Sequence, residues 1–227
     1  MTTRPRRLAG ALGGAVLAVA GATAGVAPAH ANPSWTLYNE GTGAPLAAGD
    51  VLAATGTIVM GATVAGSPHN VTCTFDATHS LTLTSTGPFS GAPGTVLTVS
   101  AAPPPTMSCK NQAGVLIPMT KSGTWGVSIT LPAAGSTPGQ LYNGTLTGSL
   151  NVPANGVTAN MSAIVAGCTA TGPTLAKSFT GSYSASTGVV TQSGTQGFAV
   201  TSTGCVVTST RITSATFTLD PVIDLQW

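Results

Sequence analysis

The sequence predicts an all-β protein, an antiparallel β-sandwich or a barrel-like relative of it, with Gly/Pro/Thr-rich turns and two disulfides. Three observations predict this. No window places apolar residues at i, i+3, i+4 and i+7 with charged residues opposite, so a helical period is missing. A period of two recurs instead: Trp125, Val127, Ile129 and Leu131 alternate with Thr124, Gly126, Ser128 and Thr130, the pattern of a sheet with one buried and one wet face. Turn-forming clusters interrupt these runs every ten residues or so, and about ten to thirteen strands are expected.

Taken in order, the first stretch is not part of the fold. Arg4, Arg6 and Arg7 precede an apolar, alanine-rich run that ends in the small-x-small pattern Ala29-His30-Ala31. That is the order of a secretory signal peptide over residues 1–31, and Arg6-Arg7 leaves general and twin-arginine export both open. The run is too short and too rich in Gly and Ala for a membrane span. The mature chain then starts near Asn32. In "HNVTCTFDATH", residues 69–79, Val71, Cys73 and Phe75 face inward on a strand. Asp76 to His79 form the connection, in which the Asp76 carboxylate accepts backbone N–H groups. Neither Ala77 nor Thr78 favours positive φ, so a loop longer than a tight type I′ turn is expected. The next strand, "SLTLT", turns Leu81 and Leu83 inward, and "GTVLTVS" does the same with Leu97 and Val99. Between them lies "STGPFSGAPG", and "AAPPP" follows. After the Trp125 strand, "LPAAGSTPGQ" (Leu131 to Gln140) is either a linker or a long loop. "GTLTGSLNV" then carries Leu146, Leu150 and Val152, and "SATFTLD" carries Phe217 and Leu219. Residues 32–227 therefore form a secreted all-β region. It is one compact unit, the preferred reading, or two similar halves of about 32–135 and 136–227, since a half of that size buries only part of its surface.

Charge narrows the function. Beyond the signal, the cations are Lys110, Lys121, Lys177 and Arg211, and the anions are Glu40, Asp50, Asp76, Asp220 and Asp224, a net charge of −1. Four cations make no phosphate-neutralising stripe, which excludes nucleic acid as a partner. The polarity comes instead from 35 Thr and 20 Ser, a composition suited to an extracellular β-protein.

Cys73, Cys109, Cys168 and Cys205 give an even count for an oxidising compartment, hence two disulfides. Three connectivities exist. The near-equal separations, 36 and 37 residues, favour Cys73–Cys109 and Cys168–Cys205, one bridge in each half. No CxxC pair is present, which argues against zinc ribbons and thioredoxin-like redox chemistry.

Candidate chemistry concentrates at His69, Asp76 and His79. A hydrolase needs a base, an acid and a selected nucleophile, and no GxSxG elbow selects a serine. A metal site needs three or four converging ligands. Fully extended, the two histidines lie about 33 Å apart at ~3.3 Å per residue, and only a turn brings them together. A strand, a turn and a second strand explain the same residues without chemistry. Asp220 and Asp224 flank Pro221, and read as a solvated chain end rather than a glycosidase pair. Trp35, Tyr38, Tyr142 and Trp227 lie near chain ends or turns. They are candidate aromatic contacts for a glycan or partner, or plugs for the ends of the core.

Thr72-Cys73-Thr74, Trp125, Gly144-Thr145 with Gly148, Cys168, Tyr183 with Thr187-Gly188, and Gly204-Cys205 together make a layout spanning most of the mature chain. In this layout the chain resembles a group of secreted actinobacterial β-rich proteins of unknown function with paired cysteines. The resemblance implies export and a β-fold. The expected role is a non-catalytic, disulfide-stabilised structural or interaction module, extracellular or cell-wall associated. Its partner would be an envelope component or a second copy, with no cofactor, no metal and no integral membrane span after signal removal. The alternative is an extracellular binder of a glycan or small apolar ligand. A hydrolase using His69, Asp76 and His79 ranks last.

Overall fold

A computed structural model describes residues 34–76, 80–84, 87, 89–90, 94–102, 106–132, 142 and 144–226. All of them belong to one compact unit, Asn32–Trp227. The signal region, His79 and Trp227 lie outside the described residues.

The strands are β1 (Ser34–Asn39), β2 (Ala44–Pro45), β3 (Val51–Val64), β4 (Ser67–Phe75), β5 (Ser80–Leu83), β6 (Phe89–Ser90), β7 (Val96–Ala102), β8 (Thr106–Asn111), β9 (Leu116–Lys121) and β10 (Trp125–Thr130). They continue with β11 (Thr145–Val152), β12 (Val157–Asn160), β13 (Thr169–Gly172), β14 (Lys177–Ser184), β15 (Val189–Gln192), β16 (Gln196–Gly197), β17 (Thr201–Thr203), β18 (Val207–Asp220) and β19 (Ile223–Gln226). Every pairing is antiparallel, and no helix occurs among the described residues.

Of the two packings left open by the sequence, the sheet takes the curled one. Starting at β18, hydrogen-bonded neighbours run through β15, β14, β11, β10, β7, β5 and β3. The register Thr216↔Thr57, Phe217↔Gly56 and Thr218↔Thr55 then joins β3 back to β18. Eight strands thus follow one another in a ring, an arrangement that leaves no free edge along this path.

β3 and β18, at 14 residues each, outrun the ring. Beyond it, β3 pairs with β4 from Gly56↔Phe75 to Val64↔Ser67. The ladder continues through β8, β9, β12, β13 and β17 as a second arm. A small separate sheet, β19-β1-β2 with β6 on β1, brings the two chain ends of the described region together through Thr36↔Gln226 and Asn39↔Ile223.

Two hydrophobic cores result, and each draws on both ends of the sequence. The first gathers Trp35, Leu37, Leu52, Ile129, Leu146 and Leu225, so the small sheet packs its apolar face against one end of the ring. The second, in the other arm, gathers Val64, Val71, Ile117, Met119, Met161 and Val207 with the cystines. Both predicted bridges form, Cys73–Cys109 and Cys168–Cys205. In space they do not divide between two halves: Cys73, Cys109, Cys168 and Cys205 all belong to the second core, because the 14-residue β3 and β18 carry both halves of the chain into each arm.

Candidate functional site

Inside the ring the alternation of each strand turns apolar side chains inward. β10 contributes Val127 and Ile129, β11 Leu146 and Leu150, β14 Phe179 and Tyr183, and β18 Phe217 and Leu219. Outward positions are hydroxyl-rich: Thr55 and Thr57 on β3, Thr145 and Thr147 on β11, and Thr216 and Thr218 on β18. One outward group is an ordered network. Asn151 donates to Ser128 Oγ (2.6 Å) and accepts from Ser178 Oγ (2.6 Å), and Ser128 Oγ meets Thr98 Oγ1 at 3.2 Å. Apolar-in and hydroxyl-out is the reverse of a transmembrane barrel, which presents its apolar band outward.

The inward side chains do not fill the ring. A cavity of about 220 Å³ remains, lined almost wholly by apolar carbon. Its origin is local and legible. β11 reads Leu146-Thr-Gly148-Ser-Leu150, and β14 reads Phe179-Thr-Gly181-Ser-Tyr183. Gly148 and Gly181 are direct cross-strand partners, so two inward positions at mid-height carry no side chain. Neither glycine can be exchanged freely. A Cβ on Gly148 would sit 2.6 Å from the Ser128 carbonyl oxygen, and one on Gly181 would sit 2.7 Å from that of Thr191. Gly56 behaves alike on β3, with a Cβ only 2.5 Å from Phe217 Cα. Such close backbone approach marks tight bending of barrel strands, and here it also empties the lumen.

The small sheet supplies the floor through Leu37, Ile223 and Leu225. Tyr183 ties floor to wall: its hydroxyl donates to the Ile223 carbonyl (2.6 Å) and accepts from the Ile223 N–H (2.8 Å), and burial pushes its phenol pKa up. Beside it Asp224 is 1 % exposed. Its Oδ1 accepts the Leu225 N–H (2.6 Å), while Oδ2 has no hydrogen-bond partner among the described residues. Burial, with Glu40 nearby as a further negative charge, raises this carboxyl to about 6. The far end of the cavity is aromatic. Phe75 and Phe217 stack obliquely at 6.4 Å, Phe179 meets Phe198 edge-on at 5.7 Å, and Trp125 is buried with its Nε1 donating to the Ser122 carbonyl. Lys121, the last residue of β9, lines the cavity there with its Nζ 5.6 Å from the Phe75 ring centroid. Burial lowers its ammonium to about 8. On β15, Gln192 turns into the cavity; its Nε2 donates to the Gly194 and Ile212 carbonyls, and its Oε1 is buried without a partner among the described residues.

The residues singled out from sequence lie elsewhere. Trp35 is buried in the first core, 2 % exposed, rather than displayed. Tyr142 packs against that core, and its N–H donates to the Leu225 carbonyl. Tyr38 sits half-buried on β1 opposite Asp224, and Trp227 is outside the described residues. His69 stands on β4 opposite Ala62 and does not line the cavity, Asp76 is exposed just past β4, and His79 is outside the described residues. Among the described residues no three His, Cys, Asp or Glu side chains group as metal ligands, and the cysteines are all in disulfides. Asp224 is not solvated chain end: Asp220 is exposed at the end of β18, but Asp224 is folded under the ring.

The cavity was legible in one signal that alternation alone passes over. Two strands repeat the pattern apolar-Thr-Gly-Ser-apolar, each placing glycine where parity calls for an inward side chain. No known protein family, curated protein or solved structure matches the chain.

Proposed function

We propose that this protein is an extracellular binding protein that holds one small apolar ligand inside its eight-stranded ring. The observation that carries the reading is the 220 Å³ apolar cavity opened by the paired, inward-facing Gly148 and Gly181. Eight-stranded barrels are just wide enough to be filled by side chains or to hold one small ligand. A sequence that places glycine at both mid-height positions leaves room for the second outcome. The space exceeds the ~150 Å³ apolar cavity known to take benzene and is smaller than the ~300–1,000 Å³ of drug-sized pockets. A short chain or a single ring system fits that range. The disulfides support export, since such bridges persist in oxidising compartments, and no helix among the described residues is long and apolar enough to cross a membrane. A binding role needs no catalytic group, in keeping with a non-enzymatic protein. A structural or interaction module of the envelope draws support only from the hydroxyl-rich outer face, so the cavity gives the binding reading precedence.

The test is titration of the mature protein with an uncharged apolar fluorophore such as N-phenylnaphthylamine. Saturable enhancement at one site per chain is expected, lost in Val190→Trp, which places an indole in the cavity. Thermal unfolding of the variant checks that it still folds. Enhancement that never saturates, or that persists undiminished in folded Val190→Trp, would sink the proposal.

A further inference from the structure

We infer that the ligand of this cavity is a single-chain amphiphile with a monocarboxylate head, its head held at Lys121 and its chain laid along the glycine pair toward the small sheet. This rests on the binding reading above and names the ligand class. Three observations carry it.

Among the described residues Lys121 is the one cation lining the cavity. It is half-buried among Phe75, Trp125 and their neighbours, yet no carboxylate of the described residues forms an ion pair with it. A cation taken partly out of water without a counter-charge is unfavourable, and a protein retains one where something else provides the charge. The Phe75 ring face offsets part of that cost and leaves the ammonium free to donate.

The charge also sets the head group. One ammonium neutralises one negative charge. A phosphate head would bring nearly two, and the excess would sit in an apolar, desolvated place. A quaternary ammonium head would meet a like charge. A sugar head would need several polar partners, where the serines and threonines of the lining turn almost no polar surface to the cavity and the Tyr183 hydroxyl is already engaged by Ile223. A carboxylate matches, with Lys121 as point-charge donor.

The shape sets the rest. From Lys121 and Trp125 the cavity continues past Val127, Gly148 and Gly181 to Leu37 and Leu225, apolar over most of its surface, with Gln192 and Asp224 as its buried polar side chains among the described residues. An unbranched chain is the body that follows such a path. Trp125 to Ile129 on β10 spans four residue steps, roughly 13 Å of strand at ~3.3 Å per step, so a chain of medium length is expected.

The experiment compares decanoate with decanol by calorimetric titration at neutral pH, on the wild type, Lys121→Met and Lys121→Arg. Wild type is expected to prefer decanoate by about tenfold to hundredfold, the range of a hydrogen bond to a charged group. Lys121→Met should lose that preference, its affinities for the two probes becoming equal, and Lys121→Arg should keep it. Equal affinity for both probes in the wild type, or a preference unchanged in folded Lys121→Met, overturns the head-group assignment and leaves cavity binding standing. Failure of both probes to bind the wild type overturns cavity binding and this inference together. Should Lys121→Met not fold, the wild-type comparison, repeated with decyltrimethylammonium, decides by itself: binding of that cation as tightly as decanoate overturns the assignment.

Discussion

Asp224 carries the clearest pH signature at the scale of single residues. Its folded pKa, near 6, lies above the ~3.9 of an unfolded chain, so the native state binds this proton more tightly. Its contribution is therefore complete below about pH 4, is lost as pH rises through about 6, and stays lost above that. Such a two-unit displacement is worth about 3 kcal/mol. Asp224→Asn should flatten that part of the stability curve in urea titrations from pH 4 to 7.5, and should raise stability at the upper end. A variant curve that falls as steeply as the wild type's would show that another group titrates. The glycines give a second residue-scale prediction. Gly181→Ala pushes a methyl into the Thr191 carbonyl at 2.7 Å, and an overpacking cost of about 1–3 kcal/mol is expected. Gly126→Ala, on the outward face of β10 with nothing closer than 3.4 Å, should change stability by less than about 0.5 kcal/mol. Denaturant midpoints of the pair check the contrast, and equal losses would contradict the steric account.

At the scale of elements, the small sheet is the part to test. β1 and β19 come from opposite ends of the described chain and close the floor of the cavity with Leu37 and Leu225, both almost without exposure. Leu225→Ala should cost about 2–5 kcal/mol, as for other buried leucines. Tyr183→Phe removes the hydroxyl that both donates to and accepts from Ile223, leaving a partly buried N–H and carbonyl without that partner, and should cost about 1–3 kcal/mol. Chemical unfolding reads both, and a Tyr183→Phe variant as stable as wild type would remove Tyr183 from the account of how the floor is held. Alternation in "GTWGVSITL" and "GTLTGSLNV" foretells β10 and β11 because a two-residue period maps directly onto one strand's faces. The floor had no such signal. β1 is six residues long, β19 four, and their pairing spans the whole domain.

For the whole molecule, the position of the disulfides predicts unequal stability. Both lie in the second arm, and closing loops of 36 and 37 residues stabilises by roughly 4 kcal/mol each in the chain-entropy picture. The ring owes its core to Trp35, Leu37, Ile129, Leu146 and Leu225, with no cystine among them. After reduction, amide exchange should accelerate first in β8, β9, β13 and β17, while β10, β11 and β14 keep their protection longest. Simultaneous loss in both arms would mean that β3 and β18 couple them into a single cooperative unit.

The class of fold and the strongly alternating strands such as β10 and β11 are set by the sequence alone, and the near-equal cysteine spacing favours the one of three pairings that forms, because alternation, turn chemistry and loop lengths are local or nearly local quantities. The nineteen strands observed among the described residues exceed the ten to thirteen expected, because short strands such as β2, β6 and β16 carry no period to read. The sequence also held the Thr-Gly-Ser repeat, whose meaning depends on Gly148 meeting Gly181 across two strands. Tertiary structure alone decided that the sheet closes through β3 and β18, that all four cysteines share one arm, and that Lys121 and Asp224, 103 positions apart in sequence, line one apolar cavity. The physical reason is that registers between strands far apart in the chain are fixed by which faces must be buried together, and no single strand carries that information.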